Sequence, residues 1–204
     1  YVITLGRECG AGATYIAQHL SKELGIPYYD KDIFRMVSDK SGVLEEFFHV
    51  NSERPGNNLL YKLVKDLKPA DQKPSLGKDI VSPDNLFRFQ SELIRELADN
   101  ESCIIIGRCA DYVLKDHDNC VHVFVCGDMD SKVQRMMHSY SLEESAAVER
   151  IKETDKQRKK YYSYYTGGDW EAASNYDLCL NTGDMSIEEA AEQILFYLKQ
   201  KKYI

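Results

Sequence analysis

Short apolar runs alternate along the chain with longer segments in which apolar residues recur every three or four positions. The short runs are VITL (2–5), PYYD (27–30), CIIIG (103–107), VHVFVC (121–126) and DLCLN (177–181). Several are apolar at consecutive positions, which is typical of strands covered on both faces. Helical spacing follows, as in Ile16, Leu20 and Leu24 after the first run. The alternation predicts an α/β fold with a central five-stranded parallel sheet, VITL in its centre and helices on both faces.

Two segments depart from this alternation. Residues 43–83 are polar and hold four of the five prolines, so we expect an insert of short helices and loops. Residues 141–166 form a second, helical segment, which Ser141 and Glu144 open as a capping box. Ser186 and Glu189 repeat the capping-box pattern before the last helix. The core is then expected over 1–42, 84–140 and 167–204.

Composition and charge restrict the class of protein. The chain has 204 residues, 43% of them hydrophobic and 29% charged, as expected for a globular domain. The net charge of −7 argues against nucleic acid as a partner, and no apolar run is long enough to span a membrane. Six cysteines without CxxC spacing indicate reduced thiols in a cytoplasmic protein. The chain begins directly in a strand pattern, where no signal peptide is visible.

A glycine-rich turn, GRECGAGAT at 6–14, lies between the first strand and the first helix. Glycines let a backbone approach phosphates, and a helix N-terminus presents free N–H groups. Against the pattern GxxxxGK[ST], Gly12 and Thr14 fit, but Arg7 stands at the first glycine and Ala13 at the lysine. The turn predicts phosphate binding by Cys9, Gly10, Ala11, Gly12, Ala13 and Thr14. A tight turn without a ligand is the alternative.

Charged residues also follow the second and third strands. Asp30 and Arg35 lie in YDKDIFR, and Arg108 follows CIIIG directly. Open α/β sheets bind ligands at the carboxyl ends of their strands. We therefore interpret Arg108 as a phosphate-binding fork, with a capping cation as the alternative.

The helical stripe in residues 141–166 changes character along its length. Val148 and Ile151 are apolar, and steps of four and three residues lead from them to Asp155, Arg158 and Tyr162. A helix whose charged residues only face solvent has no reason to place them in line with its apolar face. The stripe predicts that Asp155 and Arg158 face a site, although a charged helix end in water is the alternative.

These segments together resemble the nucleoside monophosphate kinases, and most closely the cytidylate kinase-like group of P-loop kinases. The resemblance is carried by ITLGRECGAGATYIAQHL, GIPYYDKDIF, CIIIGRCADYVL, VFVCG, IKETDKQRKKYYSYYTGGDW and SNYDLCLNT. It implies a three-layer P-loop fold with an acceptor-side insert at 43–83 and lid helices at 141–166. It also implies ATP-dependent phosphoryl transfer to a nucleoside monophosphate or similar small phosphate acceptor.

The same resemblance implies roles for the predicted residues. The loop would hold the ATP phosphates, with Thr14 as the Mg²⁺ ligand, while Asp30, Arg35 and Arg108 would bind the acceptor. Asp155 and Arg158 of the lid would act on the transferring phosphoryl group. The acceptor base and the oligomeric state are not indicated.

Ala13 leaves the loop without its usual lysine. We expect Arg7 to supply the missing charge, with Lys159 as the next candidate. Because one preorganised charge contact is worth on the order of 3–4 kcal/mol in a transition state, two alternatives stay open. The chain could be a nucleotide-binding regulatory module with little or no kinase activity, or a kinase for another small metabolite.

Overall fold

The computed structural model describes residues 1–53 and 82–204, and of residues 50–53 only the backbone. Its sheet contains β1 (Val2–Arg7), β2 (Tyr28–Tyr29), β3 (Cys103–Ile106), β4 (Cys120–Cys126) and β5 (Leu178–Asn181). The strand order is β2-β3-β1-β4-β5, and every pair is parallel. The predicted parallel sheet with VITL at its centre is confirmed.

Helices follow the strands in the expected alternation. In the described residues they are α1 (Ala13–Leu24), α2 (Asp32–Ser41), α3 (Glu45–Glu53), α4 (Pro83–Asn100), α5 (Ala110–Val113), α6 (Met129–Tyr140), α7 (Glu144–Thr166) and α8 (Ile187–Gln200). A 3₁₀ turn covers Ala173–Asn175. The predicted insert falls largely on residues 54–81, outside the described residues, and the proposed division into core, insert and lid stays a prediction.

Each face of the sheet has its own core. On one face, α1 and α8 pack against alternate residues of β1, β3 and β4, such as Ile3, Ile104 and Val123. On the other face, α2 to α5 cover Val2 and Ile105. Because both faces are covered, the central strands carry apolar residues at nearly every position.

One predicted helix start is wrong. Ser141 does not cap a helix N-terminus: it ends α6 with a left-handed backbone, at φ 52°, and α7 begins at Glu144 with Glu143 as its N-cap. An N-cap residue needs an extended backbone, which Ser141 does not have in this tight turn. The capping box of Ser186 and Glu189 is confirmed at the start of α8.

The parallel arrangement brings three chain segments to one edge of the sheet. The loop after β1, the turn after β2 and the turn after β3 all follow carboxyl ends of adjacent strands. This is the edge where open α/β sheets form ligand clefts. Within residues 1–53 and 82–204, no helix combines the length and apolar character needed to cross a bilayer.

Candidate active site

The loop between β1 and α1 ends at an uncapped helix N-terminus, a geometry that favours anions. Gly12 is the N-cap of α1 with a left-handed backbone, at φ 89°, and no side chain caps the helix. The first-turn amides, at residues 13–15, have no acceptor inside the helix. The left-handed backbone favours glycine at this position, and a Cβ there would also require the end of the Ile187 side chain to shift. The loop therefore presents free N–H groups at the positive end of the helix dipole.

A cleft of about 590 Å³ opens beside this loop. Its walls come from the turns after β1, β2 and β3 and from α7. They include the sequence-predicted residues Arg7, Cys9, Gly10, Gly12, Ala13, Asp30, Arg108 and Arg158. Residues predicted from distant parts of the chain thus meet around one space, whose size suits a small organic ligand.

Two arginines converge on Asp30. Arg7 Nη2 lies 3.4 Å and Arg108 Nη2 3.8 Å from the same Asp30 oxygen, Oδ1. The Arg108 guanidinium also stacks over Phe34, 3.9 Å from its ring centroid. Burial, with the nearby charge of Arg158, lowers the pKa of Arg7 to about 9 although Asp30 opposes this shift. The positive charges are thus held in a partly desolvated place.

The backbone that presents Arg108 is strained. Gly107, Arg108 and Cys109 are three consecutive left-handed residues, with φ of 68°, 63° and 54°. For a residue other than glycine this conformation costs roughly 1–2 kcal/mol. The turn aims the Arg108 side chain at Asp30 and leaves its buried Nε without a hydrogen-bond partner in the described chain. Strain of this kind is typical of functional sites.

Helix α7 brings its charged stripe to the loop. Asp155 Oδ1 accepts a 2.7 Å hydrogen bond from the amide of Cys9, and Arg158 Nη1 donates to the carbonyl of Arg7 at 3.0 Å. Arg158 Nη1 is 3.8 Å from Asp155 Oδ1. Burial raises the pKa of Asp155, although the Cys9 amide and Arg158 oppose that shift. Arg158, which was not one of the cations predicted to compensate for Ala13, thus touches the loop backbone through the carbonyl of Arg7.

A second group of charges supports the loop from behind. Lys132 of α6 reaches Glu8 Oε2 at 2.9 Å and Asp155 Oδ2 at 3.7 Å, and its side chain is only 7% exposed. Glu8 also accepts from the amide of Gly127 at 3.1 Å. This buried network joins the loop, the end of β4, α6 and α7. No spacing in the sequence marks Lys132 or Glu8 as partners, and sequence reasoning missed both.

Arg135 of α6 is a further cation that sequence reasoning missed. Its guanidinium donates to the carbonyl of Gly10 at 3.3 Å and to the side chain and carbonyl of Thr182. Thr182 in turn donates from Oγ1 to the carbonyl of Ala11 at 2.9 Å. Arg135 thereby holds the loop backbone against the turn after β5.

Other predicted residues lie outside the cleft wall. Thr14 is exposed in the first turn of α1 and lines an adjacent recess of about 260 Å³. Ala11 is fully buried beneath the loop. Arg35 is exposed on α2 and is not among the residues that line the cleft. Lys159 points to Glu171, 2.7 Å from its carboxylate, rather than to the loop.

The far wall of the cleft holds a buried carboxylate that was not predicted. Asp111 is 7% exposed and accepts a 2.7 Å hydrogen bond from Tyr162, and burial raises its pKa. Trp170 lines the same wall. Tyr162 itself was predicted to continue the stripe of α7, so the helical spacing signalled one half of this pair.

The donor set around the loop suits Mg²⁺ held mainly by substrate. The described residues contain no group of three or more His, Cys, Asp or Glu side chains arranged as a metal site. The exposed Thr14 hydroxyl lies at the start of α1, beside the free amides. Mg²⁺ in phosphoryl-transfer sites usually has few protein ligands, several waters and substrate phosphates, and a single exposed hydroxyl such as that of Thr14 fits this kind of site.

Comparison with known proteins gives a consistent picture. The model of the cytidylate kinase-like family matches residues 2–184. A cytidylate kinase from Methanobrevibacter smithii is 24% identical over 199 residues, covering 97% of this chain and 98% of its own. An uncharacterised protein from Eubacterium ventriosum has a crystal structure that superposes with a TM-score of 0.71 at 26% identity, over 97% of this chain and 98% of its own.

The fold itself extends to more distant kinases. A shikimate kinase from Bacteroides thetaiotaomicron superposes with a TM-score of 0.54 at 14% identity, over 97% of this chain and 98% of its own. At this identity the likeness concerns the fold alone, and it identifies the α/β P-loop architecture.

Proposed function

The chain belongs to the cytidylate kinase-like family, and from that premise we propose that it transfers the γ-phosphoryl group of ATP to a nucleoside monophosphate. The observation that carries the proposal is the meeting of two anion sites in one cleft. Free amides of the loop form one, and the arginines around Asp30 form the other. Phosphoryl transfer needs two phosphates in line and their charge neutralised, and little covalent chemistry.

The loop side of the cleft suits the donor. The amides of Gly10 and of residues 12–14, with the dipole of α1, would hold the β- and γ-phosphates of ATP; the amide of Ala11 is already bonded to the carbonyl of Glu8. Mg²⁺, bound through Thr14 and the phosphates, would neutralise charge that develops on the leaving group. Arg135 keeps the loop in shape through the carbonyl of Gly10.

The opposite side suits the acceptor. Arg108 and Asp30 lie at the carboxyl ends of β3 and β2, where the monophosphate would bind. An acceptor phosphate oxygen would attack the γ-phosphorus, and the bond to the β,γ-bridging oxygen of ATP would break to release ADP. Arg158 would meet the charge that develops during transfer, and Asp155 positions it next to the loop.

A second candidate function rests on Ala13. The lysine expected at this position contacts the donor phosphates, and its absence favours a nucleotide-binding module with little or no turnover. Transfer without this lysine would depend on Arg158, whose charge beside the carbonyl of Arg7 would stabilise the transferring phosphoryl group. Measured turnover with ATP and an acceptor distinguishes a kinase from a nucleotide-binding module.

The test is an ADP-release assay with ATP and Mg²⁺ over the nucleoside monophosphates, with shikimate and gluconate as alternative acceptors. The kinase function predicts acceptor-dependent ADP release with at least one monophosphate. The Ala13→Lys variant is measured in parallel, because a binding module would gain turnover only after the lysine is restored.

Two outcomes would contradict the proposal. If the parent protein binds ATP but releases no ADP in response to any acceptor, the result would support the nucleotide-binding module instead. Release that depends on a sugar or a metabolite acid, and on no nucleotide, would identify a kinase for another small metabolite.

A further inference from the structure

The side chain of Arg7 is directed away from the phosphate loop in which it lies. Arg7 occupies the first position of the loop pattern, and its backbone carbonyl accepts from Arg158. Its guanidinium passes over Gly107 and ends at Asp30, 3.4 Å from Oδ1. A Cβ at residue 107 would overlap that guanidinium, so the absence of a side chain there opens its path. The prediction that Arg7 folds back towards the donor phosphates therefore does not agree with this geometry.

The charges around Arg7 are not balanced. Among the described residues, Arg7, Arg108 and Arg158 are linked through contacts below 4 Å to two carboxylates, Asp30 and Asp155. Asp155 also lies 3.7 Å from Lys132, whose nearer partner is Glu8, so these four cations face three carboxylates in the described chain. The Arg7 and Arg108 side chains are 17% and 13% exposed, so water compensates little of the excess. A cluster of this kind is stabilised by a bound anion.

We infer that Arg7 binds the acceptor rather than the donor: together with Arg108 it forms a two-arginine fork for the phosphate of the nucleoside monophosphate. This inference rests on the proposed kinase function. Asp30 holds both guanidinium groups from one side, at a single oxygen, and leaves their remaining N–H groups for the ligand. The fork selects acceptors that carry a dianionic phosphate over the corresponding nucleosides.

The alternative is that Arg7 has a purely structural role. Arg7 could simply tie the end of β1 to the turn after β2 through Asp30. Replacement would then lower stability without changing which ligand the folded protein prefers. The ratio of affinities for a monophosphate and its nucleoside separates the two roles, because both ligands share every contact except the phosphate.

The experiment is calorimetric titration of the whole chain, with the loop occupied by a non-hydrolysable ATP analogue and Mg²⁺. CMP and cytidine are titrated into the parent protein and into Arg7→Met, Arg7→Lys and Arg88→Met. Arg88 is the matched control, because its side chain is 60% exposed on α4 and lies outside the cleft wall. A charge-assisted fork is worth on the order of 10- to 100-fold in affinity.

For Arg7→Met we expect the ratio of the affinity for CMP to the affinity for cytidine to fall on the order of 10- to 100-fold. The affinity of this variant for the ATP analogue should change less than about threefold. Arg7→Lys, which keeps charge but not the fork, should be intermediate, and it decides the question if Arg7→Met does not fold. An unchanged preference, or a larger loss for the ATP analogue than for CMP, would overturn the inference.

Failure of the proposed function gives a different result. If the parent protein binds no nucleoside monophosphate, the kinase proposal fails, and inorganic phosphate is titrated into the same proteins. Phosphate binding that is lost in Arg7→Met and kept in Arg88→Met still supports the fork. Equal binding in both variants, or no phosphate binding to the parent, contradicts it.

Discussion

The buried network behind the loop predicts a large loss of stability when Lys132 is replaced by methionine. The change keeps the volume of the side chain and removes its charge. Glu8 and Asp155 then lose the cation that lies 2.9 Å and 3.7 Å from their oxygens. Breaking a buried ion pair from one side costs about 3–5 kcal/mol. Both carboxylates keep an amide donor and are 18% and 15% exposed, so we expect the lower end, about 3 kcal/mol.

The assay is urea denaturation at neutral pH, with thermal melting alongside. For a domain of this size, about 3 kcal/mol corresponds to a Tm lower by roughly 6–12 °C. Lys156→Met is the matched control. Its ammonium lies 3.9 Å from Glu153 on the exposed side of α7, with 63% of the side chain exposed. A surface pair of this kind is worth about 0.5 kcal/mol or less.

A double variant tests the cause. Adding Glu8→Gln to Lys132→Met removes one uncompensated carboxylate and should recover part of the loss, because the two side chains are in direct contact. A loss for Lys132→Met no larger than that of the control would refute the reasoning. So would strictly additive effects of the two substitutions.

Three further results are expected. Arg158→Ala should lower kcat about 100-fold and change the KM for ATP less than about threefold. The reason is that the Arg158 guanidinium, which donates to the carbonyl of Arg7, stabilises charge that develops during transfer. Equal turnover of the variant and the parent in steady-state kinetics would contradict this. Burial raises the pKa of Asp111, so the folded state binds the proton more tightly than the unfolded state, and this contribution to stability is lost as pH rises through the folded pKa. Asp111→Asn should therefore gain stability relative to the parent as the pH rises above about 4, the pKa of an unfolded aspartate, in urea titrations, and a pH-independent difference would contradict it. Gly12→Ala should cost about 1–2 kcal/mol and weaken ATP binding, since its left-handed backbone is strained for alanine and the end of the Ile187 side chain would have to shift. Thermal melting and calorimetry check both, and unchanged stability and ATP affinity would contradict this.

The sheet was predictable because burial on both faces leaves a direct trace in the sequence. Val2, Ile104 and Val123 lie in short runs that are apolar at consecutive positions and bounded by turn residues, which is typical of strands covered on both faces. Of their order within the sheet, only the central place of VITL was predicted. The charged stripe of α7 was also predictable, since helical spacing alone places Asp155 and Arg158 on the face of Ile151.

The direction of Arg7 was not predictable, because it depends on residues far away in the chain. Its path over Gly107 and its partner Asp30 come from the turns after β3 and β2. The local pattern of the loop suggested the opposite direction. Lys132 illustrates the same limit: it lies 124 residues from Glu8, and no motif relates them. Charge partners across a sheet edge are set by the fold, and their spacing carries no periodic signal.

The position of Ser141 shows a third limit. The pattern of serine followed by glutamate three residues later occurs at both Ser141 and Ser186, yet only Ser186 forms a capping box. The difference lies in the backbone: Ser186 is extended, whereas Ser141 is left-handed at the end of α6. A tight turn between two helices decides this conformation, and the four-residue pattern does not contain it.

The most direct test of the proposed function follows the γ-phosphoryl group itself. ATP labelled at the γ-phosphate is incubated with the protein, Mg²⁺ and CMP, and the nucleotide products are separated. We predict that the label appears in CDP and that its appearance requires the protein, the acceptor and Mg²⁺ together. Label found only in inorganic phosphate, or retained in ATP with CMP and every other nucleoside monophosphate, would contradict it.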